Sequence, residues 1–374
     1  MDNARPKISF LQGVLTLSGS LLMLSFYMMP MVKSNKPMGS NVWLSILVAI
    51  PYFVVFGAPT VLIAAKYKIE SFGDLAEKAL GKTGMKITAV FLALFLLVSN
   101  MVYVVVFGLF ARESLLEGFP LWLIYAVTAV PIIYTTTKGI GSVCRMATVF
   151  IPLMFIGIIV FAILGFNSYE LYNLAPSGGK VSLLDLNIQA ILIVGQSSEF
   201  VAILVFNRNL NKKVNREKFF CVATLILIAF MLLIVLPTLL TLGYEYMRSA
   251  VNPYFVFMRQ VGMYGDIERI QALGVFLSIP AFLIRAATQN CAVTEVLNCA
   301  FPKPDKRIFS VGAGLCIFLT LLLPTFTESA KFSDFVSVPY FEAASVIIVF
   351  VLPLILLIFL KVRKIKPVEE TVRN

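Results

Sequence analysis

Two side chains sit where charge is expensive. Glu199 closes the pentapeptide Gly195-Gln196-Ser197-Ser198-Glu199, and Arg285 lies in a separate apolar stretch. A charge at the centre of a bilayer costs about 2.5–3.5 kcal/mol on insertion scales. Residues kept at that cost face a bundle interior, a partner or a ligand. A zwitterionic amino acid fits a helix N-terminus for its carboxylate and Glu199 for its amine. A purine nucleoside or a sugar would use Gln196, Ser197 and Ser198 as hydrogen-bond partners instead. At a rise of about 1.5 Å per residue, Glu199 lies roughly 18 Å below the outer surface and Arg285 roughly 25 Å. A long arginine side chain bridges that gap, so an ion pair between them is feasible. The plain alternatives are that each charge pairs with carbonyls or water, or that Arg285 snorkels inward.

Other polar residues fall into helical stripes. Gln271, Ser278 and Arg285 recur every seven residues, and Thr288 and Gln289 extend that face into a bundle. Gln12, Thr16, Gly19 and Ser20 share one face by i+3 and i+4 spacing. Asn100 and Tyr103 add two weaker candidates. Such small and polar residues also serve as packing glue between membrane helices.

Some chemistry is excluded. The chain has no His, which removes the commonest metal ligand and general base. No carboxylate pair stands at helical spacing in the apolar stretches. The five Cys have neither a disulfide framework nor CxxC metal spacing and read as buried, inert thiols. We therefore expect no enzyme, no metal and no cofactor.

The elements that must position these residues are membrane helices. A spanning helix needs roughly 20 mostly apolar residues. Ten such stretches lie at about 8–32, 40–65, 86–110, 120–137, 146–166, 187–206, 218–243, 268–292, 308–327 and 336–360. Hydrophobic residues make up 59% of the chain and mean hydropathy is +0.90, which leaves no soluble domain of useful size. With the N-terminus inside, 22 of the 31 Lys and Arg fall on the inner side, 8 on the outer side and one, Arg285, within a span. That asymmetry places both termini in the cytoplasm. It also explains the +11 charge without nucleic acid. The first stretch is too long for a cleaved signal peptide, so it reads as the first span.

Five spans per half invert the second half (187–360) relative to the first (8–166). Transporters built this way bind substrate where the first helix of each half breaks near the midplane. The expected breaks lie near Ser18–Ser25 and Gly195–Ser198, where Gly permits unwound backbone.

With these motifs in place, the chain resembles the B-subunit permease of endospore germinant receptors. The resemblance covers about residues 8–360. It rests on Ile8-Ser9-Phe10-Leu11-Gln12-Gly13, Pro30, Trp43, Leu80-Gly81-Lys82, Gly139, Gly141 and Arg145. In the second half it continues with Gly195 and Glu199, Asn252-Pro253 and Ile267-Glu268-Arg269. One departure is Met23-Leu24-Ser25, where the family usually has a Gly-rich run. The resemblance implies an all-α, LeuT-like fold of ten helices in the amino acid–polyamine–organocation superfamily. It also implies sensing of a small germinant, most simply an amino acid, in the inner spore membrane. The partners it implies are a membrane A subunit and a C-subunit lipoprotein. Expected ligand contacts are Ser18, Gly19, Ser20 and Ser25 in span one, Asn100 and Tyr103 in span three, Gly195 to Glu199 in span six, and Arg285. The competing reading is an ion-coupled secondary amino acid transporter of the cell membrane. A membrane enzyme and a purely structural partner fit the sequence less well.

Overall fold

The structure, a computed structural model, describes residues 7–27, 39–67, 71–114, 116, 118–175, 182–195, 197–250, 252–263, 271–322 and 344–365. At 21–27, 113, 198–199, 262–263, 271, 320 and 349 it describes the backbone alone. The N-terminal half holds α1 (Phe10–Tyr27), α2 (Val42–Lys66), α3 (Phe72–Ser114), α4 (Leu121–Lys138) and α5 (Ile140–Leu164). The C-terminal half opens with α6 (Leu183–Gly195), a 3₁₀ turn (Ser198–Val201), α7 (Ala202–Phe206) and α8 (Arg216–Leu242). There follow α9 (Tyr244–Ser249), α10 (Pro253–Met263), α11 (Gln271–Ala300) and α12 (Lys306–Leu321). A π turn (Ile347–Val351) leads into α13 (Leu352–Val362). Among the described residues the one β feature is a parallel bridge between Ile8 and Leu210.

Each of the ten expected spans coincides with a helix, with α6 and α7 forming the sixth. Among the described residues, five helical segments are long and apolar enough to cross a membrane: Gly39–Lys66, Phe72–Arg112, Ile140–Ser168, Arg216–Leu242 and Ala272–Ala300. The others are shorter, interrupted or continue outside the described residues. The loop expected at 138–145 is a single residue, Gly139, whose φ of 86° sets the turn between α4 and α5. Only glycine adopts that backbone without strain. The stretch expected to be a plain loop at 244–267 carries α9 and α10. The cysteines are free, with Cys144 and Cys291 buried, and Cys221 and Cys316 on the outer surface rather than inside.

The core is organised around α11, which packs against α1, α3, α4, α5 and α12. From Ile284 to Val296 every side chain of α11 is buried. A helix buried on all sides is normally apolar throughout. Here the buried run includes Arg285, Thr288, Gln289, Asn290, Thr294 and Glu295. A polar group kept there is costly unless it finds a partner, because lipid supplies none.

Candidate functional site

Arg285 stands at the middle of α11 with none of its surface exposed. Its guanidinium donates to the Ser20 carbonyl of α1. It also lies over the Tyr103 ring of α3, 3.2 Å from the ring centre. A carbonyl dipole and a π face both attract a cation, most strongly where water is absent. One side chain thus ties α1, α3 and α11 together in the bundle centre. Next to it the Phe107 and Phe282 rings stack with centroids 3.8 Å apart.

Further polar bonds join α3 to α11. Asn100 donates from Nδ2 to the Ala286 carbonyl at 3.1 Å, and Gln289 donates from Nε2 to Ser99 Oγ at 3.2 Å. Asn290 reaches Thr136 Oγ1 of α4 and the Ser310 carbonyl of α12, both at 3.3 Å. The Asn100 and Asn290 Oδ1 atoms are buried without a hydrogen-bond partner among the described residues.

Span six breaks as expected. α6 ends at Gly195, Ser197 is not helical, and the chain resumes as the 3₁₀ turn Ser198–Val201. Ser197 is buried; its N–H donates to the Val194 carbonyl at 2.9 Å and its hydroxyl to the Ile193 carbonyl at 3.4 Å. The 3₁₀ turn packs on α1 and on the π turn of the last span. Gln196 lies outside the described residues, as do the side chains of Ser198, Glu199, Ser25 and Gln271. The expected Glu199–Arg285 pair therefore falls outside the description, whereas the Arg285 contacts to Ser20 and Tyr103 fall within it.

Span one departs from expectation. α1 is a single α-helix from Phe10 to Tyr27, so no break lies within Ser18–Ser25. The reason is local. The Thr16, Ser18 and Ser20 hydroxyls each bond back to the carbonyl four residues earlier, at 2.7–2.8 Å. The polar groups that suggested unwound backbone are satisfied within the helix. Gly19 serves packing, since a Cβ there would lie 2.4 Å from Ile151 Cδ1 of α5. Of the expected contacts, Ser20, Tyr103 and Arg285 meet directly, Asn100 adjoins them through α11, and Ser18 is buried in α1.

One cluster escaped the sequence reading. Glu295, on the last turns of α11, accepts from Arg208 at 2.6 Å and from Lys306. Arg208 lies in the turn just after α7. That turn is pinned again by Arg216, which donates to Asn207 Oδ1 (2.8 Å) and to the Asn211 and Val214 carbonyls (2.9 and 2.8 Å). Ile8 adds main-chain bonds to Asn209 (2.8 Å) and Asn211 (3.0 Å). The far end of broken span six is thus fastened to α8, to α11 and to the segment before α1.

A family model described as spore germination protein matches residues 7–329. The chain belongs to that family. No curated protein matches the chain. Among solved structures, this spore germination protein is similar to MhsT in complex with L-phenylalanine. The TM-score is 0.65 at 16% identity, over 96% of this chain and 90% of the other. Mhp1, a nucleobase-cation-symport-1 family transporter, aligns with TM-score 0.61 at 14% identity over 96% and 94%. A Na⁺-coupled sialic acid symporter aligns with TM-score 0.55 at 11% identity over 94% and 78%. At these identities the likeness is one of fold. The germination protein is an all-α, multi-pass membrane protein of LeuT-like architecture, permease-like in family and form.

Proposed function

We propose that this chain is the B-type subunit of a germinant receptor and binds a small germinant, an amino acid, in the inner spore membrane. The observation that carries this reading is the end of α6 at Gly195, with Ser197 outside any helix. Backbone freed from a helix at membrane depth belongs where it lines a cavity or is buried in protein; here Ser197 is buried and the 3₁₀ turn after it packs on α1. The cavity side would be formed by Ser197, Ser198 and Glu199 of span six with Ser20 and Ser25 of span one. Tyr103, Asn100 and Arg285 would back it, and Gly19 and Ser18 would set its packing. Two inverted halves, 8–166 and 187–360, would each supply their first span to the site, with the break in span six alone. Occupancy would pass to a membrane A subunit and a lipoprotein through helix contacts.

A thermal-shift panel of amino acids, nucleosides and sugars on the purified protein tests this. Saturable stabilisation by an amino acid supports the reading; a response to nucleosides or sugars alone overturns its ligand class. Glu199→Gln removes a charge but keeps the shape. If Glu199 holds a ligand amine, the half-maximal germinant concentration rises roughly 10-fold or more with protein level unchanged. If it pairs with Arg285 instead, abundance falls, and the added change Arg285→Gln restores it.

The orientation has its own test. Ser249, at the end of α9, is exposed. In Ser249→Cys, an impermeant thiol reagent added outside labels the protein in intact membranes if the termini face the cytoplasm. Labelling only after permeabilisation reverses the assignment.

The transporter neighbours favour one second reading, a cation-coupled amino acid transporter. Solute accumulation against a gradient by the chain alone in liposomes, at ordinary transporter rates, would put that reading first.

A further inference from the structure

Helix α3 is interrupted near its start. Gly81, with φ 82° and ψ 175°, separates a short first part from the spanning part that follows. The last carbonyls before such an interruption lose their helical donors. The Lys78 carbonyl gains another: Arg363, just past the end of α13, donates to it from Nη1 at 3.3 Å. This bond, with the packing of α13 on α3, brings the start of one span and the end of another together at one end of the bundle.

The junction is strongly basic. Lys78, Lys82 and Lys86 lie on α3, and Lys361, Arg363 and Lys364 lie at the end of α13; all six are exposed. The carboxylates on the first part of α3 are Asp74, paired with Lys78 at 3.0 Å, and Glu77. Among the described residues no ion pair engages the other five basic side chains. Both helices run on from these charges as exposed apolar stripes. On α3 the stripe is Ile87, Phe91, Leu94 and Val98; on α13 it is Ile355, Ile358, Phe359 and Val362. Spacings of three and four keep each stripe on one helix face. An acidic peptide or a nucleic acid would match the charges but not the stripes. A phospholipid matches both, with its acyl chains along the stripes and its head at the lysines.

We propose that the junction of α3 and α13 binds an anionic phospholipid of the surrounding bilayer. Lys82, Lys86 and Lys361 attract the head phosphate, each worth about five-fold in affinity near a charged lipid surface. Arg363 is the positioning residue, because its bond to the Lys78 carbonyl holds the two basic ends together. A lipid seated there fastens the last span to α3. This does not rest on the germinant assignment, since the test needs no germinant.

Thermal unfolding of the purified full chain in detergent is followed during titration with phosphatidylglycerol or with phosphatidylcholine of the same acyl chains, at about 50 mM NaCl. The expected result is a saturable rise in the midpoint with phosphatidylglycerol and a much smaller one with phosphatidylcholine. Equal responses to the two lipids would overturn the proposal. Inorganic phosphate is expected to leave the midpoint unchanged; a rise matching that with phosphatidylglycerol would assign the site to a free anion instead. Lys82→Gln/Lys86→Gln leaves the Arg363 bond in place and is expected to raise the half-saturating phosphatidylglycerol concentration roughly 10-fold or more. Lys212→Gln/Lys213→Gln removes two equally exposed charges from the segment before α8 and is expected to leave that concentration unchanged. The same shift in both double variants would show that net charge alone attracts the lipid, and would overturn the site.

Discussion

Arg285→Ala is expected to destabilise the protein by about 3 kcal/mol or more, the largest single effect at any position of the bundle. Three losses combine. The Ser20 carbonyl loses a charged donor, worth about 1.5–3 kcal/mol. The Tyr103 face loses a desolvated cation, worth about 2 kcal/mol. The long stem leaves a cavity, and truncation of a large buried side chain costs about 2–5 kcal/mol. These terms overlap and do not add fully. They are opposed by relief of a buried charge, whose desolvation penalty is several kcal/mol. Arg285→Met separates the two sides. It keeps most of the volume and removes the charge, so its expected loss is smaller, about 1 kcal/mol. Unfolding midpoints and membrane abundance of the two variants check this. Equal losses would show that the charge itself, rather than the filled space, holds the three helices.

The second large effect is expected at Glu295. Glu295→Gln leaves Arg208 and Lys306 facing a neutral amide, and the expected loss is about 1–3 kcal/mol. The two partners contribute unequally. Lys306 is 42% exposed and Arg208 24%, so water screens the lysine more. Lys306→Ala is therefore expected to cost under about 1 kcal/mol, and Arg208→Gln most of the Glu295→Gln effect. A double-mutant cycle between Arg208 and Glu295 measures their coupling. Because Arg208 follows α7 directly, loosening this tie is also expected to shift the dose–response to the germinant, on the reading proposed above. A stability loss confined to Lys306→Ala would reverse the ranking.

Much of this was legible in the sequence because the bilayer allows few solutions. Ten apolar stretches of sufficient length could only be spans. Arg285 and the Gly195–Glu199 pentapeptide stood out because charge and loose backbone are costly there. The parts that were not legible have specific causes. The apolar run of span eight fades near residue 292, yet α11 continues to Ala300, because its last turns are buried by protein rather than lipid. That hid Glu295, which read as part of a loop. In α1 the hydroxyls of Thr16, Ser18 and Ser20 resembled the lining of a break. Sequence alone does not show whether such a hydroxyl turns outward or back to its own helix. The turn at Gly139 was expected to be eight residues long, because nothing in the apolar pattern shows that one glycine suffices.

The polar character of α11 also has a consequence for how the chain is made. Spans are delivered to the membrane in order of synthesis, N-terminal segments first. Arg285 bonds to a residue 265 positions before it, and its aromatic neighbour Tyr103 is likewise made long before it. The helix least suited to meet lipid alone therefore emerges when both α1 and α3 are already in place to receive it. Were the two halves of the chain exchanged in order, the same guanidinium would enter the bilayer with no carbonyl or ring awaiting it. The present order gives biogenesis a direction that the finished fold, viewed as a static bundle, does not require.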